Sequence, residues 1–126
     1  QPQSDWNIRQ HGNLLYFLWP NTLVLVEPDH INVSTVFPDG PLATRVLGHT
    51  LLDQAPNSDK ALRYFQKNNA LLYAALEEDF AIAARVQTGI QAGASELLWH
   101  GRFEPALKWF HQSLDAALGE QRVIEL

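Results

Sequence analysis

Short apolar runs alternate with turn residues along the first part of the chain. The runs, at residues 14–18, 22–26, 31–37 and 43–52, are rich in β-branched and aromatic side chains. The segments between them contain Trp19-Pro20-Asn21, Glu27-Pro28-Asp29 and Pro38-Asp39-Gly40-Pro41, whose residue types are typical of turns. The pattern therefore predicts an antiparallel meander of short strands.

The third run shows the clearest alternation of side chains. Its odd positions are Ile31, Val33, Thr35 and Phe37, and its even positions are Asn32, Ser34 and Val36. Because successive side chains of a strand point to opposite faces of the sheet, one face is expected to be buried.

The second half of the chain has a helical period instead. No Pro occurs from Ala61 to about Gln91, and apolar residues recur there at helical spacing. Asn57 or Ser58 is the expected N-cap and Gly93 the expected left-handed C-cap. The apolar residues that recur at helical spacing are Leu62, Phe65, Leu72, Leu76, Ala83, Val86 and Ile90. A long helix is predicted, with Asn68-Asn69 as the place for a bend.

A loop and a final helix are expected after the long helix. Residues 94–102 are interpreted as the loop, and the helix is predicted to begin near Pro105 and to end at Leu118, with Gly119 as its C-cap. Residues 120–126 lack strong periodicity and are expected to fray. Strands followed by helices indicate the α+β class, with the helices on one face of an antiparallel sheet.

Composition narrows the classes of function. The chain has 126 residues, 46% of them hydrophobic, which suits one domain with its own core. A net charge of -5 without a run of Lys or Arg argues against nucleic acid as a partner. No Cys is present, so neither disulfides nor thiolate sites can form within these residues.

The same sequence predicts a soluble, cytoplasmic location. The apolar stretches are shorter than the roughly 20 residues that a membrane-spanning helix needs, and no signal-peptide pattern is seen. Gln1 and the lack of Met indicate a trimmed chain or a piece of a longer protein.

Candidate chemistry is sparse. No two of the five histidines have the i, i+4 or i, i+5 spacing of paired metal ligands, and no phosphate-binding glycine loop or nucleophile elbow occurs. Glu77-Glu78-Asp79 is the one carboxylate cluster, in the middle of the predicted long helix. A solvated polar face of the helix would explain this cluster. However, Asp79 shares a helix face with the apolar residues Val86 and Ile90. An aspartate that points toward a core must be paired, hydrogen-bonded or bound to metal.

Three stretches together resemble the end of the large (α) subunit of Rieske-type ring-hydroxylating oxygenases. In the first, Trp19-Pro20-Asn21 and Pro28-Asp29-His30 each precede a strand, and residues 38–46 are similar to the proline–glycine–proline turn and "TRV" of that family. The second is Glu78-Asp79-Phe80 followed by Val86-Gln87-Thr88-Gly89.

The third stretch is Phe103-Glu104 with Trp109-Phe110-His111. The similarity extends over roughly residues 13–118, and the order and spacing of the motifs carry it. Ala84 departs from the pattern, since the family often has a glutamate there, which bears on a local contact of the helix surface.

The resemblance implies a partial helix-grip-like domain, residues 1–126, that forms the carboxy-terminal part of a catalytic domain. In the family a mononuclear Fe(II) is held by two histidines and one carboxylate. Carried over by residue, Asp79 is the expected iron ligand, with Glu78 as the substitute. The two histidines and the [2Fe–2S] cluster are expected upstream, outside this chain.

The resemblance further implies an oxidoreductase that hydroxylates a small aromatic or apolar substrate, with electrons from a reductase or ferredoxin. An oligomer is expected, because a partial domain would leave apolar surface and sheet edges to cover. The alternatives are a non-catalytic helix-grip-like module that binds an apolar ligand or a partner subunit, and an inactive gene fragment. Activity of this chain by itself is left open.

Overall fold

A computed structural model describes residues 7–94, 97, 99–120 and 122–123 of the chain. The chain divides into two compact units, Gln1–Tyr73 and Ala74–Leu126. The elements are α1 (Ile8–His11), β1 (Leu14–Leu18), β2 (Thr22–Val26), β3 (Ile31–Pro38), β4 (Thr44–Leu51), α2 (Asp59–Gln91) and α3 (Pro105–Leu118). The α+β class and the order of strands before helices are confirmed.

The four strands form one antiparallel sheet in the order β1-β2-β3-β4. Leu14 lies opposite Val26, Val24 opposite Val33, and Val33 opposite His49. Each strand therefore pairs with its neighbour in sequence, as short turns rich in Pro, Asn and Gly require. The predicted meander is confirmed, with β3 ending one residue later and β4 one residue shorter at each end than the sequence indicated.

The expected burial of one face of β3 is not seen, because residues 33–36 are half-buried on both faces and the one buried side chain is polar. Asn32 is buried and lies opposite Thr50 of β4. The Thr50 hydroxyl is 2.7 Å from Asn32 Oδ1 and 2.8 Å from Oδ1 of Asn69 on α2. The sheet face that carries Asn32 is thus the one in contact with the first half of α2. Asn32 tolerates burial because its side chain is hydrogen-bonded there.

No hydrophobic side chain is buried among the residues that the structure describes. On the opposite sheet face Leu47 and Leu51 are exposed, and Leu15 and Phe17 are exposed on the edge strand β1. The core expected from composition is therefore not formed by these residues, because four strands cannot cover both faces of their own sheet. Exposed apolar side chains are expected of a partial domain. That the chain is only part of a domain stays a prediction.

Helix α2 begins as the sequence predicts. The Ser58 side-chain oxygen accepts a hydrogen bond of 3.2 Å from the backbone N–H of Ala61, which identifies Ser58 rather than Asn57 as the cap. The helix continues through Asn68 and Asn69 without a break, whereas a bend at this point stays a prediction. The side chain of Asn69 contacts Thr50. Gly93 has a φ of 68°, the left-handed conformation expected of the C-cap.

The second unit contains α3 and the segment after it. Gly119 ends α3 in the left-handed conformation, as predicted. Beyond it, the buried Asp115 carboxylate accepts hydrogen bonds from the backbone N–H groups of Arg122 (2.8 Å) and Val123 (3.0 Å). The Arg122 bond and then the Val123 bond lower the pKa of Asp115, against a smaller effect of burial. At these two residues the segment is held to α3, contrary to the expected fraying.

Parts of two predicted segments lie outside the described residues. These are positions 95, 96 and 98 of the loop, and positions 121 and 124–126 of the tail. Within the described part of the chain, no helix combines the length and the apolarity needed to cross a bilayer.

Replacement of Thr50 by Val should test the polar contact between sheet and helix. Thr50→Val keeps the shape of the side chain but removes the hydroxyl that faces Asn32 and Asn69. Because buried Asn32 then loses a hydrogen-bond partner, we expect the free energy of unfolding to fall by about 1–3 kcal/mol. Thr35→Val is the control, since the Thr35 hydroxyl makes only a 3.3 Å contact with Thr22. Denaturant titration of both variants measures this. Equal losses would show that the Asn32–Thr50–Asn69 contact is unimportant.

Candidate functional site

Asp79, the expected iron ligand, lies on α2 in the second unit. Its side chain is exposed, as are those of Glu77 and Glu78. The apolar residues that share its side of the helix are exposed too, with Ile82 at 53% and Val86 at 51%. The face of α2 around Asp79 is therefore not covered by core, and the carboxylate is accessible.

A mononuclear iron centre of the expected type needs two imidazoles beside the carboxylate. Among the described residues, one group of three His, Asp or Glu side chains has its donor atoms within 4.8 Å of one another, and it consists of Glu27, Asp29 and His30. Asp79 does not belong to it. Among the described residues, Asp79 is therefore not grouped with two further donors of the kind that an iron centre needs.

The group formed by Glu27, Asp29 and His30, here called the Glu-Asp-His cluster, lies at the turn between β2 and β3. His30 Nε2 is 2.9 Å from Glu27 Oε2, and His30 Nδ1 is 2.7 Å from Asp29 Oδ1. The backbone N–H of Glu27 also donates to the carbonyl of His30 at 3.0 Å, which closes the turn. The cluster therefore surrounds both ring nitrogens of one imidazole with carboxylates.

His30 is deeply buried, with 3% of its surface exposed, whereas the side chains of Glu27 and Asp29 are 21% and 41% exposed. Helix α2 covers the imidazole with Phe65, whose ring meets it edge-on at 5.9 Å between centroids. The hydroxyl of Tyr64, also on α2, donates to Asp29. The cluster thus lies where the β2–β3 turn meets the first half of α2.

The surroundings of Asp29 favour its charged form. The hydrogen bond from His30 lowers the pKa of Asp29, burial opposes this with a smaller effect, and the hydrogen bond from Tyr64 lowers the pKa further. Asp29 is therefore set as an anion beside the imidazole.

Geometry indicates a proton-holding cluster rather than a cation site. Both distances from the ring are those of charge-assisted hydrogen bonds, and the carboxylates approach opposite nitrogens of the imidazole. One donor atom of each residue lies within 4.8 Å of the other two, so the same three residues could also gather around a cation. In the structure, however, each ring nitrogen lies at hydrogen-bond distance from a carboxylate.

Sequence reasoning expected His30 to end or decorate a strand, whereas it lies in the turn directly before β3, and the cluster was missed. The signal was present in Glu27-Pro28-Asp29-His30, where a proline turn brings two acids to one histidine. The burial of His30 by α2 is a long-range contact that no local pattern displays.

The other histidines are dispersed. His49 is exposed on β4, and His11 ends α1. His111 on α3 stacks on His100, with ring centroids 4.9 Å apart and planes at 28°, and Phe110 meets His111 edge-on. A stacked pair turns ring faces together, which does not aim two nitrogens at a shared ligand.

Comparison with known proteins gives one result. The family described as "Ring hydroxylating alpha subunit (catalytic domain)" matches residues 1–120. No curated protein and no solved structure matches the chain. The match covers both compact units, nearly from end to end.

Replacement of Tyr64 by Phe should change the titration of Asp29. Loss of the hydroxyl removes a hydrogen bond that stabilises the Asp29 anion, so the pKa of Asp29 should rise toward its ordinary value. A lowered pKa in the folded chain gives stability that is present above the ordinary value and lost as pH falls through the lowered one. In Tyr64→Phe the contribution of Asp29 to stability should be smaller, and its loss should be complete at a higher pH than in the unaltered chain.

Carboxyl carbon shifts followed by NMR during an acid titration measure the change. Tyr73→Phe, also on α2, is the matched control and should leave the Asp29 titration as in the unaltered chain. An unchanged Asp29 curve in Tyr64→Phe would show that the hydroxyl does not support the carboxylate.

Proposed function

This chain belongs to the ring-hydroxylating alpha subunit catalytic-domain family, and from that membership we propose that it is the carboxy-terminal part of the catalytic domain of a Rieske-type non-haem iron oxygenase. The match over residues 1–120 is the observation that carries the proposal. The motifs around Asp79 and the confirmed order of strands and helices support it.

We assign Asp79 the role of the carboxylate ligand of the iron, with Glu78 as the less favoured candidate. Both are exposed on α2, but they are adjacent residues and so lie about 100° apart around the helix. Asp79 lies about 20° around the helix from Val86, whereas Glu78 lies about 80° from it, so Asp79 is the more central of the two on the exposed apolar side of α2. A hard carboxylate partly neutralises a ferrous ion and leaves coordination positions open when two imidazoles complete the set. The chemistry that bound iron supplies is the activation of dioxygen beside the substrate.

The proposed substrate is a small aromatic or apolar compound. Exposed apolar side chains on both sheet faces and along α2 offer the kind of surface that a pocket for such a compound needs. The two imidazoles and the [2Fe–2S] domain are proposed to come from the part of the protein upstream of this chain, with electrons supplied by a reductase or ferredoxin. The alternative, a module that binds an apolar ligand without catalysis, rests on the same exposed surface and on the lack, among the described residues, of a group of donors that includes Asp79.

Replacement of Asp79 in the complete gene product tests the ligand assignment. Asp79→Ala should lower the affinity for Fe(II) by about tenfold or more, because loss of a direct ligand exceeds the effect of a supporting residue. Glu78→Ala is the matched control and should retain iron. Iron content after anaerobic reconstitution, together with oxygen uptake, measures both. Full iron content in Asp79→Ala with loss in Glu78→Ala would transfer the role to Glu78, and full content in both would refute the assignment.

A second measurement compares this chain with the same chain extended upstream. Purified anaerobically with added Fe(II), the longer protein should hold iron in a 1:1 ratio and the 126-residue chain should not, since one carboxylate does not bind ferrous iron tightly. Tight binding by the short chain would mean that its own histidines complete a site. Absence of iron from the longer protein would favour the non-catalytic module.

A further inference from the structure

The buried His30 makes two hydrogen bonds that a neutral imidazole cannot make together. Its Nδ1 and Nε2 each face a carboxylate oxygen, at 2.7 Å and 2.9 Å. When both carboxyls are ionised, each can only accept, so both ring nitrogens must carry a proton for the two bonds to coexist. The arrangement is complete only while His30 is an imidazolium.

Loss of one ring proton would leave the cluster in an unfavourable state. The freed lone pair of the imidazole would face a carboxylate, and the charge of the cluster would change from -1 to -2. Because only 3% of the surface of His30 is exposed, water cannot replace the lost hydrogen bond unless the contact opens.

The element that would move on opening is the first half of α2. Phe65 covers the imidazole, and Tyr64 binds Asp29, so two consecutive residues of α2 lie on the cluster. We propose that protonated His30 is a pH-sensitive latch, which holds residues 59–73 of α2 against the β2–β3 turn and releases them as pH rises.

The latch has an acid limit as well. The titratable groups that face His30 are Glu27 at the end of β2 and Asp29 in the turn, and α2 contributes Tyr64 through Asp29. Protonation of either carboxyl would remove an acceptor from the imidazolium. The latch therefore needs two ionised carboxylates and a protonated imidazole, and it opens when any one of these three charges is lost.

NMR of the 126-residue chain tests the latch directly. Long-range ¹H–¹⁵N spectra of the imidazoles distinguish a ring with two protons from either neutral tautomer, and amide hydrogen exchange reports the docking of residues 61–69. We expect the exchange protection of these amides, corrected for the intrinsic effect of pH, to fall by about tenfold in the same pH interval in which His30 loses a ring proton.

Two variants separate the latch from general destabilisation. His30→Gln can donate to only one carboxylate, so its α2 amides should be less protected at acidic and neutral pH and should show no further loss across that interval. His49→Gln, a change of the exposed histidine on β4, should keep the profile of the unaltered chain. Should His30→Gln fail to fold, the coincidence of the two titrations in the unaltered chain decides by itself.

Two results would overturn the proposal. One is constant protection of α2 while His30 loses its proton. The other is a His30 ring that stays neutral at every pH at which the chain is folded, together with a change in its ¹⁵N chemical shift when Zn²⁺ alone is added. That result would place a cation, and not a proton, between His30 and Glu27.

Discussion

The contact between the β3–β4 pair and the first half of α2 depends on polar groups. Thr50 meets Asn32 and Asn69 at 2.7 Å and 2.8 Å, and the imidazole of His30 lies against Phe65. Apolar burial is non-directional, whereas buried polar groups must find partners at fixed distances. This contact therefore specifies one position of the helix on the sheet, although few apolar side chains are covered there.

At the end of this contact near His30, the position of the helix depends on the charges of three side chains. The contact of Thr50 with Asn32 and Asn69 involves neutral groups, so it is indifferent to pH. The Glu-Asp-His cluster instead needs two anions and one cation, and its central group is the most buried side chain of the described residues. Burial strengthens both hydrogen bonds while all three charges are present and makes the loss of any one of them costly. The helix is thus held by one contact that is constant and one that responds to protons.

Local sequence patterns predicted the elements because the causes of those elements are local. Ser58, Gly93 and Gly119 end helices through their own side chain or backbone, and turns with Pro, Asn and Gly set neighbouring strands antiparallel. The buried face of the sheet could not be predicted in the same way. Hydrophobicity favours the face with Ile31 and Val33, yet the helix covers the face with Asn32. Thr50 lies at hydrogen-bond distance from Asn32 and from Asn69 of α2, which are 18 and 19 positions from it in sequence.

The same distinction applies to the candidate sites. The Glu-Asp-His cluster could be suspected from four adjacent residues, but its meaning depends on Phe65 and Tyr64, which only the folded chain brings there. The role proposed for Asp79 came from resemblance, since helix periodicity placed it toward a core and the structure leaves it exposed beside Ile82 and Val86.

The exposure of Asp79 nevertheless limits what can cover it. Any surface that buries Ile82 and Val86 must also draw the Asp79 carboxylate out of water, because all three share one side of α2. An unpaired carboxylate in an apolar contact costs several kcal/mol, so the covering surface has to bring a cation or several hydrogen-bond donors. A ferrous ion held by two imidazoles would be such a cation, because its positive charge would compensate the Asp79 carboxylate. A purely apolar partner would not compensate it, and this electrostatic constraint favours the oxygenase over a module that binds through apolar contact alone.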